Sequence, residues 1–386
     1  MTEIRVDTIV DAAGTGAPNF TTAPTVGGVA LGSLATSSFT SSGTAPSSPS
    51  NGAVWWDTTN SALMIYVNSA WQTVTLGVIP PGPVYFGDRA MFTLGNLNSS
   101  PWQSNLIKYY DLDVGATVNT FGNLSTTNAY VTGASGGGRG LFAGGSVSGT
   151  GVVNKIEYVT ISSTGNTTDF GDLTEVSYTS ASASNGNKAI YAMNDNNKTS
   201  LIQEVTIDTA GNATAWSGTL TQAKSNGCGA SDGTKGFFFG GRTASSSTQL
   251  NEIDYVTIAT DANASDWGNL GTARKDTGGN SACGTSSRIL IGGGTTSSSI
   301  STSSIEYINP ASASNAYSFG NLGNGLRYCS STNNETHAIW MQGLNNSSQM
   351  QQYAHRVQID SAGNASIWAT TGAIGYGSGA LSGAHS

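Results

Sequence analysis

Apolar and polar residues alternate along short stretches throughout most of the chain. Ile107-Lys-Tyr-Tyr-Asp-Leu112, Ile156-Glu-Tyr-Val-Thr-Ile161, Ile202-Gln-Glu-Val-Thr-Ile207, Ile253-Asp-Tyr-Val-Thr-Ile258 and Ile305-Glu-Tyr-Ile-Asn-Pro310 share one pattern, and Arg356-Val-Gln-Ile359 is a weaker copy. A period of two predicts strands with one buried face. Each copy follows a more continuous apolar run that starts at a basic residue: Arg89, Arg139, Lys188, Lys235, Arg288 or His337. A third motif places an aromatic before a tight turn, as in Phe121-Gly-Asn-Leu124, Phe170-Gly-Asp-Leu173, Trp267-Gly-Asn-Leu270 and Phe319-Gly-Asn-Leu322. Turns such as Thr164-Gly-Asn166, Ala210-Gly-Asn212 and Ala362-Gly-Asn364 separate the second and third motifs, and Gly and Asn there are expected to supply a positive φ. A fourth segment, rich in Gly, Ala, Ser and Cys, precedes each basic start, for example Ala129–Gly138, Tyr178–Asn187, Ser225–Thr234 and Tyr328–Thr336. Small side chains there suit strands where several sheets crowd together.

Four strands therefore recur six times, at intervals of roughly 50 residues, the size of a propeller blade. A β-solenoid is the competing architecture, but its rungs are shorter. The expected fold is all-β: a six-bladed propeller of four-stranded blades over 85–386. The first unit begins at its second strand, and the chain ends in an extra small-residue segment, Gly375–Ser386. That segment should supply the missing first strand, pair near Tyr85–Leu94, and remove an exposed sheet edge.

Composition narrows the function. Only 10% of the 386 residues are charged, and 15 Lys+Arg against 23 Asp+Glu give a net charge of −8. No basic cluster exists to meet a phosphate backbone, so no nucleic-acid partner is expected. No apolar stretch is long enough to span a bilayer, so no membrane insertion is expected. The opening Met1–Gly14 holds Glu3, Asp7 and Asp11 and lacks the basic start and apolar core of a signal peptide. Cys228, Cys283 and Cys329 are an odd number at long spacings, and read as buried free thiols rather than a disulfide framework.

The repeat resembles kelch repeats, in which an apolar strand ends in Gly-Gly and is followed by a Tyr-bearing strand, a Trp, and an Arg near the next strand. Gly144-Gly145, Tyr158, Phe170 and Arg139 fill those places, as do Gly240-Gly241, Tyr255, Trp267 and Arg274. Unit three lacks the Gly pair (Met193-Asn194), and unit six is degenerate. The first 84 residues differ, holding seven of the nine prolines. Ile79-Pro-Pro-Gly-Pro83 reads as a stiff linker over 78–84. Over 43–77, Val54 to Trp71 reads as a two-stranded hairpin turning near Thr59-Asn60-Ser61, with a second turn at Asn68-Ser69. This module resembles one found repeatedly in bacteriophage tail fibres. The segment from Ile4 to Phe20 resembles the N-termini of fibre and appendage proteins of marine phages, including those of cyanobacteria. The resemblance implies that 1–42 is an extended virion-attachment segment, with Ile4, Val6, Ile9 and Phe20 as its apolar anchors. It implies a virion location, other virion proteins as partners through 1–84, and by fibre analogy a homotrimer.

Enzymatic chemistry finds little footing. The three histidines, His337, His355 and His385, form no ligand pair, and Asp208 to Trp216 misses the spacing of a sialidase-type Asp turn by one residue. Glu157, Asp254 and Glu306 stand at equivalent repeat positions, which argues for a scaffold role. No cofactor or metal and no catalytic residue is expected. Loops after the second strand vary most, and variable polar loops on a rigid body suit recognition of a host-surface glycan or protein. Their candidate ligand-facing residues are Trp102, Arg242, Gln249, Asn345 and Gln351. Two alternatives stand beside a tail fibre or appendage: a capsid or tail decoration protein without a receptor, and a carbohydrate-active enzyme.

Overall fold

The computed structural model describes residues 40–50, 53–60, 62–67, 70–73, 86–136, 138–246, 248–278, 282–296 and 300–383, and the short strand pair formed by 25–26 and 29–30. Among them every regular element is a β-strand, and no helix is long and apolar enough to cross a membrane. The chain divides into two compact units, Met1–Pro80 and Pro81–Ser386. The proposed anchors Ile4, Val6, Ile9 and Phe20, the turn at 68–69 and the linker 78–84 lie outside the described residues.

In the first unit, Val54–Asp57, Ala62–Val67 and Ala70–Thr73 form an antiparallel meander, and Thr40–Ser42 joins it in parallel, Ser42 opposite Asp57. The sheet is therefore larger than the expected hairpin, and it reaches back across the boundary drawn between 42 and 43. Three residues are too few to carry a periodic signal. They are held instead by Trp55, whose indole Nε1 donates to the Ser42 carbonyl at 3.0 Å. Trp55 and Tyr66 each meet Trp71 edge-on at 5.4 Å. The turn at 58–60 is organised by Asp57, whose Oδ1 accepts Thr59 N–H and whose Oδ2 accepts the Asn60 amide. The Asn60 amide leads in holding the Asp57 carboxyl below its ordinary range.

The second unit holds six four-stranded antiparallel sheets. Their second, third and outer strands follow one another in the chain, beginning at Arg89–Thr93, Leu106–Asp111 and Asn119–Asn123. The inner strands are Thr132–Gly136, Ala181–Ser184, Cys228–Ser231, Ala282–Gly284 and Ser330–Asn333 for the second to sixth sheets. The inner strand of the first sheet is Ala380–Gly383, paired antiparallel with Arg89–Thr93 so that Ala380 faces Phe92 and Gly383 faces Arg89. Each inner strand lies against that of the next sheet, and Ala380–Gly383 lies against both Thr132–Gly136 and Ser330–Asn333, so the order of neighbours returns to its start. A cavity of about 70 Å³ takes lining from all six, including Gly133, Ser184, Gly229, Cys283, Thr332 and Leu381.

Small residues in these strands have a steric cause. A Cβ at Gly133 would stand 2.2 Å from the Ala380 carbonyl oxygen, and one at Gly229 would stand 2.3 Å from that of Ser182. The strands approach backbone to backbone, and serines supply the cross-links: Ser182 Oγ donates to Gly133 O, Ser184 Oγ to Ser135 O and Ser382 Oγ to Asn333 O, each at 2.6 Å. Larger side chains fill the spaces between sheets, as where Phe238, Ile258 and Val256 of the fourth pack on Ile190 and Trp216 of the third.

The Gly-Asn turns correct the sequence reading. Gly165, Gly211 and Gly363 have no left-handed φ, and neither have Asn166, Asn212 and Asn364. These turns dock on the preceding sheet. Asn166 Oδ1 accepts Asn123 N–H, Asn212 that of Asp172, Asn263 that of Thr219, Asn315 that of Asn269 and Asn364 that of Asn321, all at 3.0 Å. The glycine of Phe-Gly-Asn-Leu makes room for that approach, since a Cβ at Gly122 would stand 1.9 Å from Gly165 O.

Candidate functional site

Strand alternation puts the loops after the second strand at the same edge as the connections that enter the inner strands. On this face each connection into an inner strand carries a residue in the left-handed region at the same place: Tyr130, Thr179, Asn226, Asp276, Tyr328 and Gly377. Four of these residues are joined head to tail with a fifth by backbone bonds: Thr179 N–H to Tyr130 O, Tyr130 to Gly377, Gly377 to Tyr328 and Tyr328 to Asp276, at 3.1, 2.6, 3.0 and 2.8 Å. Non-glycine residues in this conformation carry a strain of order 1 kcal/mol each, tolerated where the surroundings over-determine them. Here they bring side chains together: Tyr130 meets Tyr178, Tyr328 and Tyr376 edge-on at 6.0, 5.9 and 5.9 Å. Burial, then Asp195, raises the Tyr178 phenol, and burial, then Asp276, raises that of Tyr328. Both stay protonated donors. Sequence reading missed this cluster, although Tyr178 and Tyr328 open two of the small-residue segments.

Most of the expected ligand-facing residues have work within the protein. Arg242 forms an ion pair with Asp195 at 2.6 Å. Burial acts to lower the guanidinium pKa, and the bond and charge of Asp195, with Asp276, outweigh it and hold it raised. Gln249 Nε2 donates to Thr296 O at 3.2 Å, tying the loops of the fourth and fifth sheets. Asn345 Oδ1 accepts the N–H groups of Ser347 and Gln349, both at 2.9 Å, and Gln351 Nε2 donates to Gln349 O at 3.0 Å, so both shape their own loop. Trp102 is different: it is 66% exposed.

Trp102 borders a groove of about 540 Å³ between loop 96–103 of the first sheet and loop 344–351 of the sixth. Tyr376 and Ile374 form its floor, and Asn98, Ser348, Gln349 and Met350 line its walls. Backbone bonds between Asn96 and Tyr376 in both directions, at 2.9 and 3.2 Å, fix the floor. Arg327 donates to Ser348 Oγ at 2.9 Å and to Ser301 Oγ at 3.2 Å, which anchors the far wall. Elsewhere the corresponding loops are bridged by side chains. This holds at four of the other five junctions: Ser148 N–H donates to Gln103 Oε1 at 2.8 Å, Ser301 N–H donates to Asn346 Oδ1 at 2.6 Å, Arg242 pairs with Asp195, and Gln249 donates to Thr296 O. Among the described residues no side-chain hydrogen bond crosses the groove.

The buried acids are structural. Glu157 Oε1 accepts Ser125 N–H at 3.0 Å, Asp254 Oδ2 accepts Thr221 N–H at 3.1 Å, and Glu306 Oε2 accepts Gly271 N–H at 2.7 Å. Gln203 does the same for Thr174 N–H at 2.7 Å. Each holds a neighbouring sheet. Buried cations accompany two of them: Lys224 lies 3.1 Å from Asp254, and Arg274 pairs with Glu306. Arg274 thus sits in a buried ion pair within the connection from the fourth to the fifth sheet. Cys228, Cys283 and Cys329 are buried and unbridged, and burial pushes the first two thiols up to about 12. Among the described residues no group of three or more His, Cys, Asp or Glu is placed to hold a metal ion. No protein-family model and no curated protein matches this chain.

Proposed function

We propose that this chain is a bacteriophage virion appendage: residues 1–84 attach it to the particle, and residues 85–386 form a six-bladed, kelch-like propeller whose loop face recognises the host surface through a glycan. The cyclic order of the inner strands, the shared cavity and the left-handed residue at the same place in each connection into an inner strand support the propeller reading. The attachment role rests on the resemblance of the N-terminal segments to phage fibre modules. The observation that carries recognition is the loop face itself: polar loops, most of them locked to a neighbour by side-chain bonds, with a groove left open beside an exposed tryptophan. Such a face presents donors and acceptors at fixed positions, which suits hydroxyl-rich ligands. Weak single contacts gain strength when several copies on one particle engage together, by on the order of 10²–10⁴ where geometry permits. The full chain, added to marine cyanobacterial cells, should bind the surface and compete with particle adsorption. Sedimentation should give a homotrimer, and labelling on particles should find the chain at the tail. Labelling over the capsid with no cell binding would replace this reading with a decoration role, and release of sugar from host polysaccharide would replace it with an enzymatic one.

A further inference from the structure

We infer that the groove between loops 96–103 and 344–351 is a binding site for an uncharged saccharide, one per chain, with the Trp102 indole as its stacking platform. This deepens the recognition reading above and rests on it.

Three observations select the ligand class. No charged side chain lines the groove, and Arg327 beside it is engaged by Ser348 Oγ and Ser301 Oγ, so an ionised sugar would leave water without a lining charge to pair with. Its walls offer amide and hydroxyl groups from Asn98, Ser348 and Gln349, which both donate and accept, matching sugar hydroxyls that do the same. Trp102 and Met350 add apolar surface against which the C–H face of a pyranose packs. The volume of about 540 Å³ lies within the range of small-ligand sites and fits a short oligosaccharide end rather than an extended polymer.

The groove lies at one junction, between the first and sixth sheets, and four of the other five differ from it: their loops are bound across by Gln103, Arg242, Gln249 and Asn346. Between the sixth and first sheets the bonds lie in the floor, through the Asn96 and Tyr376 backbones, and the walls stand apart. The floor is fixed and the walls are anchored by Arg327 at Ser348 and by the Asn345 turn, so little ordering is required on binding.

Saturation-transfer NMR and calorimetry on the full chain test this, using a panel of neutral mono- and disaccharides (glucose, galactose, mannose, N-acetylglucosamine and their disaccharides) against glucuronic and sialic acids. At least one neutral sugar should bind with a stoichiometry of one per chain. Trp102→Ala should weaken it tenfold or more, Gln349→Ala should weaken it severalfold, and Val114→Ala, in a turn at the opposite edge, should leave it unchanged. Thermal unfolding of each variant should match the parent, since Trp102 is largely exposed. Preference for the acidic sugars, unchanged binding by Trp102→Ala, or a stoichiometry near six would overturn the groove assignment while leaving cell-surface recognition standing. Cell binding with no response from any sugar would do the same. Failure to bind either cells or sugars would overturn both.

Discussion

Five junctions between consecutive sheets and the sixth, where the chain's last strand meets its first sheet, solve one packing problem differently. At each of the five, an Asn side chain in the outer turn captures an N–H of the preceding sheet, and a glycine opposite makes room for the turn. Basic residues at the start of the second strand reinforce several of them. Arg89 donates to Ile161 O and Arg288 to Ile359 O, both at 2.8 Å, and Arg139 to Ile207 O at 3.0 Å. At the sixth junction the turn carries no Asn latch, and Val118 lies near Gly372 instead. Asn334 of the sixth sheet donates to the Asp88 and Asp113 carboxylates of the first, both at 3.0 Å, and Tyr110 packs on Trp368 at 5.1 Å. The contrast teaches that the turn latches give register between repeats of similar sequence, whereas the joining of distant segments is held by strand pairing, by buried aromatic surface and by the Asn334 bonds to Asp88 and Asp113.

The comparison can be broken most severely at the joining strand. Leu381 is buried among Met91, Phe142 and Ile161, and Leu381→Ala should cost about 2–5 kcal/mol. Deleting 378–386 should go further and expose the Arg89–Thr93 edge, giving aggregation on size-exclusion chromatography. Next in size is a glycine pair. Gly122→Ala drives a methyl into Gly165 O and should cost about 1–3 kcal/mol, whereas Gly165→Ala meets nothing within 4 Å and should be close to neutral. Equal effects in denaturant titrations would refute the docking account of Phe-Gly-Asn-Leu.

His355 sharpens the comparison through pH. It stands on the third strand of the sixth sheet at the place where Glu157, Asp254 and Glu306 hold their neighbours, and it is fully buried. Burial lowers its pKa. Below the ordinary histidine pKa of about 6.5 the unfolded chain therefore binds a proton that the folded chain refuses, and stability is lost as pH falls, by at most about 1.4 kcal/mol per pH unit. His355→Gln, uncharged at every pH, should flatten that slope in thermal unfolding between pH 6.5 and pH 5. The smallest effect is expected at a single latch: Asn166→Ala or Asn315→Ala should cost about 0.5–1.5 kcal/mol, and the two should agree.

Local periodicity made much of the second unit readable in advance. The strands fall where alternation places them, the small-residue segments are buried inner strands, and the C-terminal segment pairs with Arg89–Thr93. The scaffold role of Glu157, Asp254 and Glu306 was legible because the same residue type recurs at one place in the repeat. What escaped depends on partners far along the chain. Asn166 reads locally as a turn residue because its hydrogen-bond partner, Asn123, lies 43 positions away. Asn345 and Gln351 read as ligand-facing from sequence because the bonds that engage them form only within their folded loop. Trp102 was noticed for its type, yet its groove joins segments near residues 100 and 350, which no local pattern connects.

Pairing Arg89–Thr93 with Ala380–Gly383 also sets an order of events during synthesis. The bond from Gly379 N–H to Thr93 Oγ1 spans 286 positions, so the first sheet of the second unit to leave the ribosome is the last of that unit to be completed. At about 5–20 residues per second its open edge waits roughly a quarter of a minute to a minute for its partner. Ala380–Gly383 then acts as the fastener that turns the five finished sheets of this unit into six.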